Sequence, residues 1–483
     1  LEIKSLGHNH GMRSILPSGS PRGAIALGIL LVAGLVSAAG NASAAVFDQV
    51  TDDDSASGCT SALPVSNDTG TIAAWQSDCN PVGTNADGSI EIFRAVVGSA
   101  PAQLTTNPSP GPACTSSRPT ISSNGNVIAF ESSCDLTGSN ADGNVEIFLW
   151  KNGTLLQLTN SIGCDNLAPS ISGPGKFVAF DSTCNLFGTA NGGRGPEIFR
   201  VSDSGVLEQL TVDAAGACDS TSPSISSNGK LVAFDSDCDL VGQNENLVVE
   251  IFTVTSDGVV KQRTFAPDDS CSSVRPSMDG AGSIIGFHSD CNFTGSNADK
   301  SDEIFTVNSA LTVDQISAAG NTCASGEVRM AADGNALVFS GYCGLNSFNG
   351  DGSIEVFHAG VGKGKSGILA VTGGNNCSSM AGGVSADGAH VMFDSDCNPA
   401  SSNGDGSVEV FRGSACACGR PSTRKSTPLS SDALFVLKAA VGSQACNKCE
   451  CDVNDDASIS AGDALRTLKA AVGQGIDLIC PEP

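Results

Sequence analysis

Cys218-Asp-Ser-Thr-Ser-Pro-Ser-Ile-Ser-Ser-Asn-Gly-Lys-Leu-Val-Ala-Phe-Asp-Ser-Asp-Cys238 is the stretch that decides the fold. At its centre, Asn228-Gly229 is a dipeptide that supplies positive φ in a tight hairpin turn. The short apolar or alternating runs on either side, Pro223 to Ser226 and Leu231 to Phe234, predict two antiparallel strands. Folding the chain about the turn brings residues whose numbers share one sum opposite each other. Cys218 and Cys238 then become neighbours across the open end of the hairpin, within the separation a disulfide requires.

The same twenty-residue interval occurs seven times, at Cys59/Cys79, Cys114/Cys134, Cys164/Cys184, Cys218/Cys238, Cys271/Cys291, Cys323/Cys343 and Cys377/Cys397, while successive pairs start 50 to 55 residues apart. A fixed interval inside a drifting one describes a rigid unit joined to its copies by adaptable loops, and periods of this size belong to propeller blades or solenoid turns. Glycine follows every midpoint, at Gly70, Gly125, Gly175, Gly229, Gly282, Gly334 and Gly388. A third strand begins Glu-Ile/Val-Phe at Glu91, Glu146, Glu197, Glu250, Glu303, Glu355 and Glu409. A fourth ends like Gln-Leu-Thr, at Thr105, Thr159, Thr211, Thr264, Ser317 and Thr372. Only six fourth strands follow the first cysteine pair, and the missing copy, Gln49-Val-Thr51, precedes it. The N-terminal strand is therefore expected to complete the last blade, removing a pair of exposed sheet edges. The expected fold is an all-β seven-bladed β-propeller over residues 45–412. A solenoid of strands is the alternative, but it gives the displaced first strand no role.

Residues 1–44 read as a signal peptide, with the eleven residues before Met12 read as an over-extended frame. Arg13 and Arg22 supply the positive region, Gly23 to Gly40 is apolar, and Ala42-Ser43-Ala44 is a cleavage signal; a retained membrane anchor is the competing reading. No later segment is apolar enough to span a bilayer. Export to the cell exterior or surface, or to a periplasm, makes disulfides sensible for the fourteen cysteines of the repeat, with buried free thiols the alternative. Zinc, which needs four converging ligands, fits seven separate pairs poorly. Without residues 1–44 the chain carries 22 basic and 50 acidic residues, which argues against nucleic acid and anionic membranes as partners.

The unit Pro-x-Ile-Ser-x-x-Gly-Lys-x-Val-Ala-Phe-x-Ser, followed by Glu-Ile-Phe and Gln-Leu-Thr, is clearest over residues 169–211 and 223–264. It resembles the TolB-type, WD-repeat-like propeller blade, and the resemblance covers about three-quarters of the chain. It implies a fold rather than a function, because such blades occur in exported binding proteins and in some hydrolases. The expected departures from TolB are the seven units, the cysteine pair in each, and a lack of room for an N-terminal domain before Cys59.

Asn-x-Asp-Gly-x-x-Glu stands between the second and third strands at Asn85/Asp87/Glu91, Asn140/Asp142/Glu146, Asn349/Asp351/Glu355 and Asn403/Asp405/Glu409. Oxygen side chains at this spacing suit calcium, and equally an Asx turn. The glutamate persists where the rest of the pattern is lost, after Asn191, Asn244 and Asn297, so a structural role accepting hydrogen bonds is preferred. Catalysis should break the repeat. The breaks are His288, standing where Glu131, Asp181, Asp235 and Asp394 have acids, and the isolated Tyr342, His358 and His390. None forms a recognisable catalytic motif, and no catalytic residue is assigned.

After Arg412 the pattern changes. Ser431-Asp-Ala-Leu-Phe-Val-Leu-Lys-Ala-Ala-Val-Gly442 and Gly462-Asp-Ala-Leu-Arg-Thr-Leu-Lys-Ala-Ala-Val-Gly473 match each other, with helical apolar spacing and a closing glycine. Before the second stands Asp452-Val-Asn454-Asp-Asp456-Ala-Ser458-Ile-Ser-Ala-Gly-Asp463, whose oxygen side chains at positions 1, 3, 5 and 12 form an EF-hand-like calcium loop. The duplicated loop and helix, in residues 413–483, resemble a type I dockerin, a small calcium-dependent module that docks onto cohesin domains. The resemblance implies calcium held by the side chains of Asp452, Asn454, Asp456 and Asp463 and the backbone carbonyl of Ser458, and a cohesin-like protein partner. Ala457 stands where that loop has glycine, and the first copy has Pro421, Thr423 and Lys425 where acids belong. For Cys416, Cys418, Cys446, Cys449, Cys451 and Cys480, three disulfides are preferred over a zinc cluster.

The expected function is that of a secreted, non-catalytic binding protein. Its propeller recognises a carbohydrate, protein or cell-surface partner, and its C-terminal module tethers it through calcium. An exported hydrolase acting on polysaccharide or peptide, with loops over the propeller channel, is the alternative.

Overall fold

The computed structural model describes residues 47–53, 58–108, 114–187, 195–212, 218–318, 320, 324–342, 345, 352–362, 368–373, 376–400, 402–414, 428, 430–443, 451–454, 458–474, 476 and 478. Seven four-stranded antiparallel sheets follow one another along the chain. Blade 1 comprises Ser61–Ser66, Ile72–Ser77, Glu91–Val96 and Ala102–Gln103, and blades 2 to 6 repeat that order. Their first strands begin at Ser116, Asn166, Ser220, Ser273 and Ser325. Blade 7 has Ser379–Val384, His390–Ser395 and Glu409–Ser414, and its fourth strand is Phe47–Gln49 from the other end of the chain. Phe47 pairs with Gly413 and Gln49 with Phe411, so the expected ring closure is observed. First strands of successive blades lie against one another all round, the first strand of blade 7 against that of blade 1 included. The first strand of each blade is thus the innermost and lines the central channel.

Each blade is filled by one stacked aromatic pair between its second and third strands, with ring centroids 5.5 to 6.0 Å apart. In blade 1 the pair is Trp75–Phe93; the other six are Phe–Phe, from Phe130–Phe148 to Phe393–Phe411. The low aromatic content of the chain is therefore concentrated where offset stacking fills a sheet-on-sheet core.

Six disulfides, Cys59–Cys79, Cys114–Cys134, Cys164–Cys184, Cys218–Cys238, Cys271–Cys291 and Cys377–Cys397, clamp the hairpins at Cα separations of 5.0 to 5.4 Å. Cys323 and Cys343 lie outside the described residues. Close to each clamp a serine hydroxyl on the second strand accepts the N–H of the second cysteine at 3.0 Å, as Ser236 does from Cys238.

The glycine at each midpoint serves two purposes. Its φ lies between +65° and +76°, and a Cβ there would collide with the preceding blade: Gly229 with Phe177, Gly175 with Val127, Gly70 with His390. In the C-terminal segment α1 (Ser430–Ala440) and α2 (Ala461–Ala471) pack together around Val436, Cys451 and Ala464. No helix among the described residues is long and apolar enough to cross a membrane.

Candidate functional site

The most persistent polar residues of the repeat build the ring. All seven glutamates that open the third strands are at most 2% exposed. Each of Glu91, Glu197, Glu250, Glu303, Glu355 and Glu409 accepts a hydroxyl hydrogen bond from the Thr or Ser that ends the fourth strand; for Glu409 the donor is Thr51, from the far end of the chain. In blade 2 Ser161 takes that place against Glu146. The asparagine of the preceding turn is buried as well. Asn85, Asn140, Asn244, Asn297 and Asn403 each donate their amide to the carbonyl of the disulfide cysteine six residues back. The structural reading of this motif accounts for both residues; Asn191, Asn349 and Asp351 lie outside the described residues. Among the described residues, each group of three or more metal-ligand side chains is an aspartate beside a disulfide, where no thiolate is available.

The channel wall carries a bulge in every innermost strand. In blades 1 to 6 the bulged residue has φ of +50° to +54°: Leu63, Arg118, Ala168, Ser222, Arg275 and Glu327. Such backbone costs a non-glycine residue about 1–2 kcal/mol. The bulged amide is held by the side chain of the preceding blade's second strand. Asp394 accepts from Leu63 at 2.9 Å, Gln76 from Arg118 at 3.1 Å, Glu131 from Ala168 at 2.9 Å, Asp181 from Ser222 at 3.2 Å and Asp235 from Arg275 at 2.7 Å. These four acids are 4 to 7% exposed, and burial pushes their carboxyls up, Asp181 to about 7 and Asp394 to about 6.

At one end of the channel the turns of the first hairpins join in a ring of backbone hydrogen bonds 2.8 to 3.1 Å long. Asp68 donates to Ser123, Ser123 to Gly173, Gly173 to Ser227, Ser227 to Gly280, Gly280 to Ala332, Asp333 to Ala386, and Ala386 back to Asp68. The described disulfides stand at the opposite ends of these hairpins.

Sevenfold regularity fails at blades 5 and 6. His288 occupies the position of the amide-holding acids; burial lowers its pKa, and Arg275 lowers it further. Glu327 is paired with both Arg275 and Arg329. Sequence reasoning found His288 but passed over Arg118, Arg275, Glu327 and Arg329. For Arg118, Arg275 and Glu327 the signal was available, because the residue before the repeated proline (or Val328) varies while its surroundings repeat. Tyr342, half exposed, follows the second strand of blade 6; His390 packs under the blade 1 turn at Gly70.

In the C-terminal segment, Asp463 accepts from the N–H of Val453 at 2.9 Å and from both the N–H and the hydroxyl of Ser460 at 2.8 Å, closing a capping box on α2. Asp463 and Asp452 are wholly buried. Asn454 and Ser458 lie on the same loop, and Asp456 lies outside the described residues. Cys451 is disulfide-bonded, and no cysteine among the described residues is free. Both helices expose matching side chains: Leu434 and Leu437 on α1 with Val441 just after it, and Leu465 and Leu468 on α2 with Val472 at its cap.

No protein-family model matches the sequence, and no curated protein matches it. Solved structures of similar fold include oligogalacturonate lyase from Vibrio parahaemolyticus, at 11% identity and TM-score 0.48 over 77% of this chain and 97% of that one. The β-propeller domain of the Trilobed protease from Pyrococcus furiosus matches at 10% identity and TM-score 0.47, over 74% and 96% of the two chains. The putative TolB from Agrobacterium tumefaciens matches at 17% identity and TM-score 0.34, over 56% and 80%. These proteins differ in activity from one another, and likeness at this level decides nothing about the activity of the chain.

Proposed function

We propose that the chain is an exported, non-catalytic binding protein. Its propeller recognises a carbohydrate, protein or cell-surface partner, and its C-terminal segment docks onto a protein partner through a calcium-dependent, dockerin-like module. The observation that carries this reading is the fate of the carboxylates. The repeated glutamates and the second-strand acids are spent on hydrogen bonds that hold strands and blades together, so the acids the repeat keeps serve the scaffold, as suits a recognition domain. Disulfides persist in oxidising compartments, which supports export.

The matched Leu-Leu-Val faces of α1 and α2 support docking, since paired apolar faces suit a partner's groove. Calcium is supported by the donor chemistry of the loop, which offers hard oxygen ligands between two buried carboxylates, Asp452 and Asp463. The bound ion would neutralise those acids and fix the loop against α2.

Immobilised full-length chain should capture glycans or secreted proteins, with part of the capture lost in chelator. A chain lacking residues 413–483 should keep the chelator-insensitive part. Loss of all capture on that deletion would remove recognition from the propeller. Hydrolysis of a captured polysaccharide or peptide, abolished by H288A, would replace this reading with the hydrolase alternative.

A further inference from the structure

The charge of the innermost strands runs against the charge of the chain. The whole sequence has 25 basic and 51 acidic residues. The seven strands that line the channel carry only four charged residues, the basic Arg118, Arg275 and Arg329 and the acidic Glu327. The arginine side chains are 61%, 60% and 42% exposed, although each has a carboxylate neighbour. Arg275 and Arg329 share one carboxylate, Glu327, so this pair of guanidiniums holds a surplus positive charge and unused donors. The acids behind the wall offset it only in part, because they are buried and burial favours their protonated form. The hydrogen-bonded turns form a ring round one end of the channel.

We infer that the channel wall at blades 5 and 6 is a binding site for an oxyanion-bearing ligand, a carboxylate or a phosphate, engaged by Arg275 and Arg329, with Arg118 at the equivalent bulge three blades away. This deepens the reading of the propeller as a recognition domain and rests on it. A planar guanidinium presents paired donors matched to two oxygens of one anion, which a neutral sugar or a cation does not satisfy. His288, standing where other blades place an acid, spares the site a buried carboxylate at this seam.

The test is calorimetric titration of the full-length chain at fixed ionic strength with glutarate, inorganic phosphate and the neutral glutaramide. Glutarate or phosphate is expected to bind with one-to-one stoichiometry and glutaramide not to bind; the tighter of the two anions identifies the ligand as carboxylate or phosphate. R275Q/R329Q should weaken binding at least tenfold, and K230Q, on an exposed turn, should not change it. R275K/R329K, which keeps charge and loses the fork, should weaken it in part, and carries the test if the glutamine variant does not fold. Absence of anion binding at millimolar concentration, equal binding of glutaramide, or unchanged affinity in the folded arginine variants overturns the inference. Partner capture by a chain that binds neither anion leaves the recognition reading standing while this site falls.

Discussion

At the scale of the residue, buried carboxylates govern how stability responds to pH. Asp181 ordinarily titrates near 3.8, and burial in the fold pushes it to about 7. Between these values the folded chain holds a proton that the unfolded chain has released. Its contribution to stability is therefore complete below about pH 4 and is lost as pH rises through 7. D181N keeps an oxygen for the Ser222 amide and removes the titration. In scanning calorimetry its Tm should exceed that of the wild type by roughly 2–5 °C at pH 8 and match it at pH 4; an equal pH slope in both proteins would refute the assignment. Glu250 accepts from the Thr264 hydroxyl and the Ala266 amide while 1% exposed. E250A leaves the buried Thr264 hydroxyl and the half-buried Ala266 amide without this acceptor, and urea denaturation should show a loss of about 2–3 kcal/mol.

At the scale of the element, the hairpin was the most legible part of the sequence, because its glycine, its flanking apolar runs and its cysteines all obey local rules. Less legible was why glycine never yields to asparagine at that place. Turn chemistry accepts either, whereas the neighbouring blade's side chain accepts only glycine. G229A should therefore cost about 2–3 kcal/mol, more than positive φ alone. Blade 6 departs from the pattern near the end of its second strand, where Gly341 replaces the serine that elsewhere caps the second cysteine, and the Ser325 hydroxyl is left buried and unsatisfied. A side chain at Gly341 meets only ordinary to slightly tight contacts, the closest being Phe357 at 3.3 Å. G341S should raise the melting temperature by about 1–3 °C, through a hydrogen bond worth about 1 kcal/mol. The bulged strand was not legible at all. Proline at the next position predicts extended backbone, and the left-handed φ is imposed by a carboxylate from another blade, more than thirty residues away in sequence.

At the scale of the whole molecule, blade count and ring closure were legible from a counting argument, because a missing fourth strand at one end matched a surplus one at the other. The candidate channel site was not, since Arg275 meets Glu327 only when the innermost strands of blades 5 and 6 pack against each other. Deleting residues 45–51 removes Phe47–Gln49 and the Thr51 hydroxyl from blade 7 and exposes the edge of Glu409–Ser414. Light scattering should show association of that variant, and its melting temperature should fall by more than 5 °C.

The N-terminal strand also sets an order of events. Thr51 and Glu409 meet across 358 residues of chain. As the polypeptide emerges, six blades can assemble from neighbours in sequence, the first five each fastened by its own disulfide, while Phe47–Gln49 waits without a partner. The seventh sheet becomes possible only when Glu409–Ser414 arrives, so the earliest-made strand is the last to be placed. Until then the nascent protein is an open arc with two unsatisfied sheet edges. Completion is a single late event that separates a half-made chain from a durable one.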